Sequence, residues 1–148
     1  MSKLLSFITE SNNIEGEPTF PEKELPIYKW WLYQDLTQDN LLELHQRLCD
    51  ARKQLKPHER GVYRKVPVYI GTKEMTNPGS IRRMMVQFFG ELDTLTPFQA
   101  HKLYERIHPF VDLNGRTGRA IWLHQMLRRG GAPLGFLHTW YYQSLSDA

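Results

Sequence analysis

Asn77-Pro78 and Thr96-Pro97 each place a capping side chain directly before a first-turn proline, which marks two helix starts. Proline is tolerated there because the N–H it lacks would have no intrahelical acceptor. Behind the first opening, Ile81, Met84, Met85, Phe88, Phe89 and Leu92 recur at i, i+3, i+4, i+7, i+8 and i+11. That spacing is one apolar helix face, and its Met and Phe residues read as core. The second opening predicts a helix running to about Ile107. A further helix is expected over 115–129, stopped by Gly130-Gly131, with a last short one near 139–146.

The N-terminal half follows the same pattern. Leu4, Leu5, Ile8 and Asn12 predict a helix over residues 2–13, ended by Glu15-Gly16-Glu17-Pro18. Residues 17–27 hold three prolines and read as a surface loop, and a new apolar segment, helical and partly buried, is expected to begin at Trp30, Trp31 and Tyr33. Thr37 caps a helix expected over 38–54, whose inward face carries Leu41, Leu44 or His45, and Leu48. Between Gly61 and Gly71, Val66, Val68 and Ile70 alternate with period two, which predicts a short strand or hairpin. Pro67 places it at an edge. The fold class is therefore all-α with a small β-hairpin.

With 148 residues the chain fits one domain with one core. No apolar run approaches the roughly 18 residues of a membrane span, so no membrane partner is expected. The single Cys49 excludes an internal disulfide, and neither a signal peptide nor a multi-cysteine metal site is evident, so a cytoplasmic location is expected. A net charge of +3 is too modest, and its basic pairs too scattered, to favour nucleic acid as a partner.

Chemistry concentrates in His108-Pro-Phe-Val-Asp-Leu-Asn-Gly-Arg-Thr-Gly-Arg119. Asn114-Gly115-Arg116 falls where a helix begins, and a helix start offers unpaired N–H groups to an anion. Gly115 permits close approach. Arg116 and Arg119, three apart, share a helix face and can both fork onto phosphate oxygens. Asp112 beside that positive nest fits a phosphate only with a cation between them, which points to Mg²⁺. His108 is the residue suited to general-base work near neutral pH. These parts suggest phosphoryl or nucleotidyl transfer. His45, His101, His124 and His138 form no metal pattern with each other or with Cys49, and read as structural or surface residues.

The stretch closely resembles the Fic family signature, His-x-Phe-x-(Asp/Glu)-Gly-Asn-Gly-Arg-x-x-Arg, carried here by His108, Phe110, Asp112, Asn114, Gly115, Arg116 and Arg119. Leu113 departs, standing where the family usually has glycine. The resemblance extends over nearly the whole chain and implies a single Fic domain over 1–148. The implied fold is a bundle of six to eight helices, with a hairpin flap near 61–75 and a catalytic helix-loop-helix over 97–130. It implies that His108 deprotonates a target hydroxyl, which attacks the α-phosphate of ATP. Phe110 would anchor the loop, Asp112 hold Mg²⁺, and Asn114 with the amides around Gly115 bind phosphate oxygens. Arg116 would meet the β-phosphate region and Arg119 the γ-phosphate. Val66, Val68 and Ile70 would dock a target segment by strand pairing.

Ser11-Asn-Asn-Ile-Glu15-Gly16 is similar to the family's inhibitory motif, (Ser/Thr)-x-x-x-Glu-(Gly/Asn), which places residues 1–16 as an N-terminal inhibitory helix. Glu15 would pair with Arg119 where the γ-phosphate belongs, and Ser11 would fix the helix within the anion loop. The implied activity is transfer of AMP from ATP to a Tyr, Thr or Ser hydroxyl of a target protein. The alternatives are AMP removal, transfer of UMP, phosphate or phosphocholine, or a non-enzymatic DNA-binding regulator. Leu113 leaves the donor nucleotide open, since leucine resists the positive φ that glycine allows. Homo-oligomer formation is left open as well.

Overall fold

The computed structural model describes residues 3–16 and 21–128, and within them five α-helices surround a buried sixth. Helix α1 (Lys3–Ile14) buries Phe7, Ile8, Ser11 and Asn12, and Gly16 closes its end with φ +68°. Helix α2 spans Pro21–Tyr33, which corrects the loop expected over 17–27. Pro21 lies in its first turn, where a missing N–H costs little, and Glu22 and Glu24 complement the helix dipole there. Pro26 stands inside the helix and removes one hydrogen bond, an interruption that costs ~3 kcal/mol in isolation. Burial of Tyr28 and Trp31 opposes that cost, and the indole of Trp31 donates to the Ala120 carbonyl at 2.9 Å. Tertiary packing thus overrides the local proline signal.

Helix α3 (Gln38–Arg52) is capped as expected, the Thr37 hydroxyl accepting from the Asn40 N–H at 3.2 Å. Leu41, Leu44, His45, Leu48 and Cys49 face inward. Strands β1 (Tyr69–Ile70) and β2 (Lys73–Glu74) pair antiparallel, Tyr69 opposite Glu74 and Ile70 opposite Lys73. The hairpin exists, but the ladder is shorter and later than the alternation suggested. Val66 precedes it, and Val66 and Ile70 are about half exposed, so the period of two marks no buried face.

The Asn77 side chain accepts from the Gly79 N–H at 2.8 Å, and a 3-10 turn over Pro78–Ser80 leads into α4 (Ile81–Glu91). Ile81, Met85, Phe88 and Leu92 are buried, with Met84 and Phe89 half-buried beside them. Helix α5 (Pro97–Ile107) opens on a reciprocal capping box between Thr96 and Gln99. Helix α6 (Asn114–Arg128) is the centre, buried continuously from Arg116 to Gln125. It packs closely on α5 at Gly118, where a Cβ would come within 2.9 Å of both Glu105 and Tyr104. The expected stop at Gly130-Gly131, the helix near 139–146 and His138 lie outside the described residues. No described helix is long and apolar enough to cross a membrane.

Candidate active site

The site is built where α5 ends and α6 begins. His108 caps α5 in the left-handed region (φ 51°), its N–H donating to the Tyr104 carbonyl at 2.9 Å. Its imidazole Nδ1 lies 3.0 Å from the Glu105 carbonyl, which can only accept. The proton therefore resides on Nδ1, and Nε2 keeps its lone pair. Burial lowers the His108 pKa, the hydrogen bond to Glu105 opposes this, and the Arg64 charge lowers it further against Glu15 and Asp112. A neutral imidazole is the form a base requires.

Phe110 is fully buried and stacks on the His45 ring, centroids 3.8 Å apart. His45 in turn ties two segments together. Its Nδ1 accepts from the Gly61 N–H at 2.9 Å, so Nε2 carries the proton and donates to the Asp112 carbonyl at 3.0 Å. Desolvation pushes its pKa down to about 4, which keeps this neutral tautomer. Asp112 projects an exposed carboxylate, whose Oδ1 accepts from the Leu113 N–H at 2.7 Å and whose Oδ2 meets the Gln54 amide.

Leu113 adopts φ 67°, so the backbone keeps the left-handed turn that glycine takes most easily, and its side chain is buried. Asn114 is committed differently from expectation. Its side chain accepts from the Phe110 N–H and donates to the Phe110 carbonyl, each at 2.8 Å. What this residue turns toward an anion is thus its backbone N–H, in the unpaired first turn of α6. Glu15 approaches Gly115 so closely that a Cβ there would collide with Glu15 Oε1.

Arg119 is completely buried behind this carboxylate. Its Nη2 donates to Glu15 Oε1 at 2.7 Å and to the Ser11 carbonyl at 3.0 Å, and its Nε donates to Ser11 Oγ at 2.7 Å. Ser11 thus fixes α1 through Arg119 rather than through the anion loop, which corrects its expected partner. Gly16 ends α1 with a left-handed φ of 68°.

A cleft of about 330 Å³ brings together Glu15, His108, Asp112, Asn114, Gly115 and Arg116, with Ile70 of the hairpin at its margin. A second hollow of about 450 Å³ runs from His108 along β2 and α5. Val66 borders a separate hollow beside Tyr63 and Val111, whereas Ile70 lines both hollows that His108 lines.

Three residues that the sequence did not single out complete the site. Glu105, one turn before His108, lines the cleft with its carboxylate 4.0 Å from the His108 ring. Burial pushes its pKa up to about 7, Arg119 opposing and Glu15 adding to the rise. Its i, i+3 relation to His108 was the available signal. Gln54 and Arg64 carried none, since the helix pattern over 38–54 and the alternation between Gly61 and Gly71 mark apolar positions and not these polar ones.

A family model described as the Fic/DOC family matches residues 35–126. The chain is 36% identical over 108 residues to "Protein adenylyltransferase Fic" of Drosophila melanogaster, covering 67% of this chain and 21% of that protein. The same-named protein of Culex quinquefasciatus is 34% identical over 107 residues, with 66% and 21% covered. The chain thus spans about one fifth of the length of these curated relatives. Among solved structures, a Fic family protein from Desulfovibrio desulfuricans superposes with a TM-score of 0.66 at 20% identity, covering 92% of this chain and 51% of that one. Fic-1 from C. elegans gives 0.63 at 22% identity, covering 94% and 48%. The motif, the bundle that presents it and a family match over more than half of the sequence agree, and the chain belongs to the Fic/DOC family.

Proposed function

We propose that the protein is an adenylyltransferase that moves AMP from ATP to a Tyr, Thr or Ser hydroxyl of a target protein, and that Glu15 holds it off. The observation that carries this reading is the neutral His108 facing the same cleft as the open first turn of α6 and Arg116. In the transfer, His108 Nε2 takes the hydroxyl proton as the oxygen bonds to the α-phosphorus. The bond from that phosphorus to the β-phosphate bridging oxygen breaks, and pyrophosphate leaves with the electron pair. The N–H groups at Asn114 and Gly115 and the Arg116 guanidinium would supply donors to the growing negative charge. His108 then holds the proton as an imidazolium until it is lost to solvent.

Asp112 fits a Mg²⁺ ion held by one carboxylate, the remaining ligands coming from phosphate and water, a common arrangement for this cation. Among the described residues no cluster of three acidic, histidine or cysteine ligands forms an all-protein cage. Bound there, Mg²⁺ would neutralise charge on the α- and β-phosphates.

Glu15 lies over Gly115 and pairs with Arg119, so its carboxylate takes the place an anionic γ-phosphate needs. A nucleotide seated beside it must shift, and misalignment at the α-phosphorus removes the in-line geometry that transfer requires. Incubating Glu15→Gly with Mg²⁺ and ATP is expected to add the mass of AMP to the protein itself or to a target, and His108→Ala in that background to abolish it. Intact-mass spectrometry reads the result. Equal labelling by the parent and Glu15→Gly would refute the inhibitory role, and an added phosphate mass would refute adenylyl transfer.

A further inference from the structure

Arg64 lies outside the motif, on the approach to the hairpin, and is only 3% exposed. A guanidinium in such a place is costly unless its donors find acceptors. Here Nε donates to the His108 carbonyl at 2.6 Å, Nη1 to the Val66 carbonyl at 2.8 Å, and Nη2 to the carbonyls of Thr76 at 2.6 Å and Ile107 at 3.2 Å. The backbone N–H of Arg64 adds a bond to the Pro109 carbonyl at 2.9 Å.

These acceptors fall into two sets. Ile107 and His108 supply carbonyls at the C-terminus of α5, which no later turn of helix can satisfy and whose dipole favours a cation. Val66 and Thr76 flank the hairpin, one before β1 and the other after β2. Thr76 reinforces the join, its hydroxyl donating to the Arg106 carbonyl at 3.2 Å. A single planar fork therefore bonds both ends of the hairpin and the backbone of the base. His108 needs such support, because its left-handed φ is uncommon for a residue with a side chain. Its N–H is held by Tyr104 and its C=O by Arg64, so the peptide planes on both sides of its Cα are fixed.

We propose that Arg64 is a positioning residue that holds His108 and both ends of the hairpin in one frame, so that the base keeps its register with a segment docked on the hairpin. The link to a docked target rests on the adenylyl-transfer reading, whereas the coupling of hairpin to base rests on the geometry alone. Lysine cannot replace this fork, since its three donors leave a single atom and cannot span the two sets of carbonyls.

The test compares Glu15→Gly with the same protein carrying Arg64→Gln or Arg64→Lys, using Mg²⁺ and ATP as the probe. The His108 ring is followed by imidazole ¹H–¹⁵N spectra across pH, and the hairpin by hydrogen exchange at the Met75 N–H, which bonds the Val68 carbonyl at 2.9 Å. In Arg64→Gln, His108 is expected to titrate at higher pH because a neighbouring positive charge is gone. Met75 exchange is expected to rise about tenfold, the scale of losing a hydrogen bond to a charged group. The self-labelling rate at saturating ATP is expected to fall about 100-fold, as for a misplaced reacting group, with the KM for ATP held within about twofold.

Arg64→Lys keeps the charge and loses the fork, so Met75 exchange should rise while His108 titrates as in the parent. If Arg64→Gln does not fold, Arg64→Lys decides by Met75 exchange. Parental Met75 exchange in either folded variant would overturn the proposal. Moved His108 and Met75 signals without any ATP labelling by Glu15→Gly with Arg64 intact would uphold the positioning role and sink adenylyl transfer.

Discussion

Leu113 shows how a single residue can break a local rule without altering the loop it belongs to. A non-glycine residue in the left-handed region costs about 1–2 kcal/mol, while burying a leucine side chain returns about 1.5–3 kcal/mol. The balance explains a leucine at φ 67° with only 3% of its surface exposed. Leu113→Gly is expected to lower stability by about 1 kcal/mol, since the lost burial outweighs the relieved strain. Urea unfolding checks this, and a variant more stable than the parent would show that strain dominates. Labelling in the Glu15→Gly background should be unaffected, because the backbone already follows glycine's path.

Glu105 is the other residue whose state matters. Its carboxyl keeps its proton to about pH 7 in the folded protein, against an ordinary value of 4.5. Between those values the folded state binds more protons than the unfolded one, so this group's contribution to stability falls as pH rises from about 4.5 to 7. His45 acts in the opposite sense, because its pKa is lowered to about 4 and stability is lost as pH falls through that range. Substituting Glu105→Gln leaves the His45 contribution intact. The stability difference, parent minus variant, is expected to shrink steadily from pH 5 to pH 7. Unfolding curves at each pH give that difference, and a flat profile would refute the shifted carboxyl.

Among the elements, α1 is the one on which the proposed inhibition rests, and two polar anchors stand out among the described residues. One is the Arg119 pair with Glu15 and Ser11 inside the site. The other is a buried network remote from it. Asn12 donates to Glu24 at 2.9 Å and accepts from Arg52 at 2.6 Å, and Arg52 Nε donates to Glu24 at 2.9 Å, joining α1 to α2 and α3. Asn12→Ala removes α1 from this second anchor and leaves the Arg52–Glu24 pair in place. It is expected to cost about 1–2 kcal/mol of stability and to raise ATP labelling above the parent, though below Glu15→Gly. Intact-mass labelling measures the order, and parental labelling in the folded variant would show that the second anchor does not control α1.

The same elements show where local reading succeeded. Helices α3, α4 and α5 announced themselves because their caps act within three residues, at Thr37, Asn77 and Thr96. Helix α2 did not, since its prolines argue against a helix and the burial that outweighs them involves Ala120, far along the chain. The hairpin was legible from the alternation between Gly61 and Gly71, but its short ladder was not, because Val66 is held by Arg64 rather than by a partner strand.

At the scale of the whole molecule, the buried helix α6 gathers every other part of the site. It carries Arg116 and Arg119, receives α1 through Arg119, and packs against α5 at Gly118 so closely that His108 stays beside the cleft. The identity of the catalytic stretch, its likeness to the Fic family and the pairing of Glu15 with Arg119 were all open to the sequence alone. The first two depend on residue types at short, fixed spacings, and the pairing was expected because Ser11 to Gly16 is similar to the family's inhibitory motif. The partners of Arg64, His45, Gln54 and Glu105 were visible only in the tertiary structure. Their partners are mostly backbone carbonyls and N–H groups, which every residue possesses, so nothing in a side-chain pattern identifies which of them a buried polar group will meet.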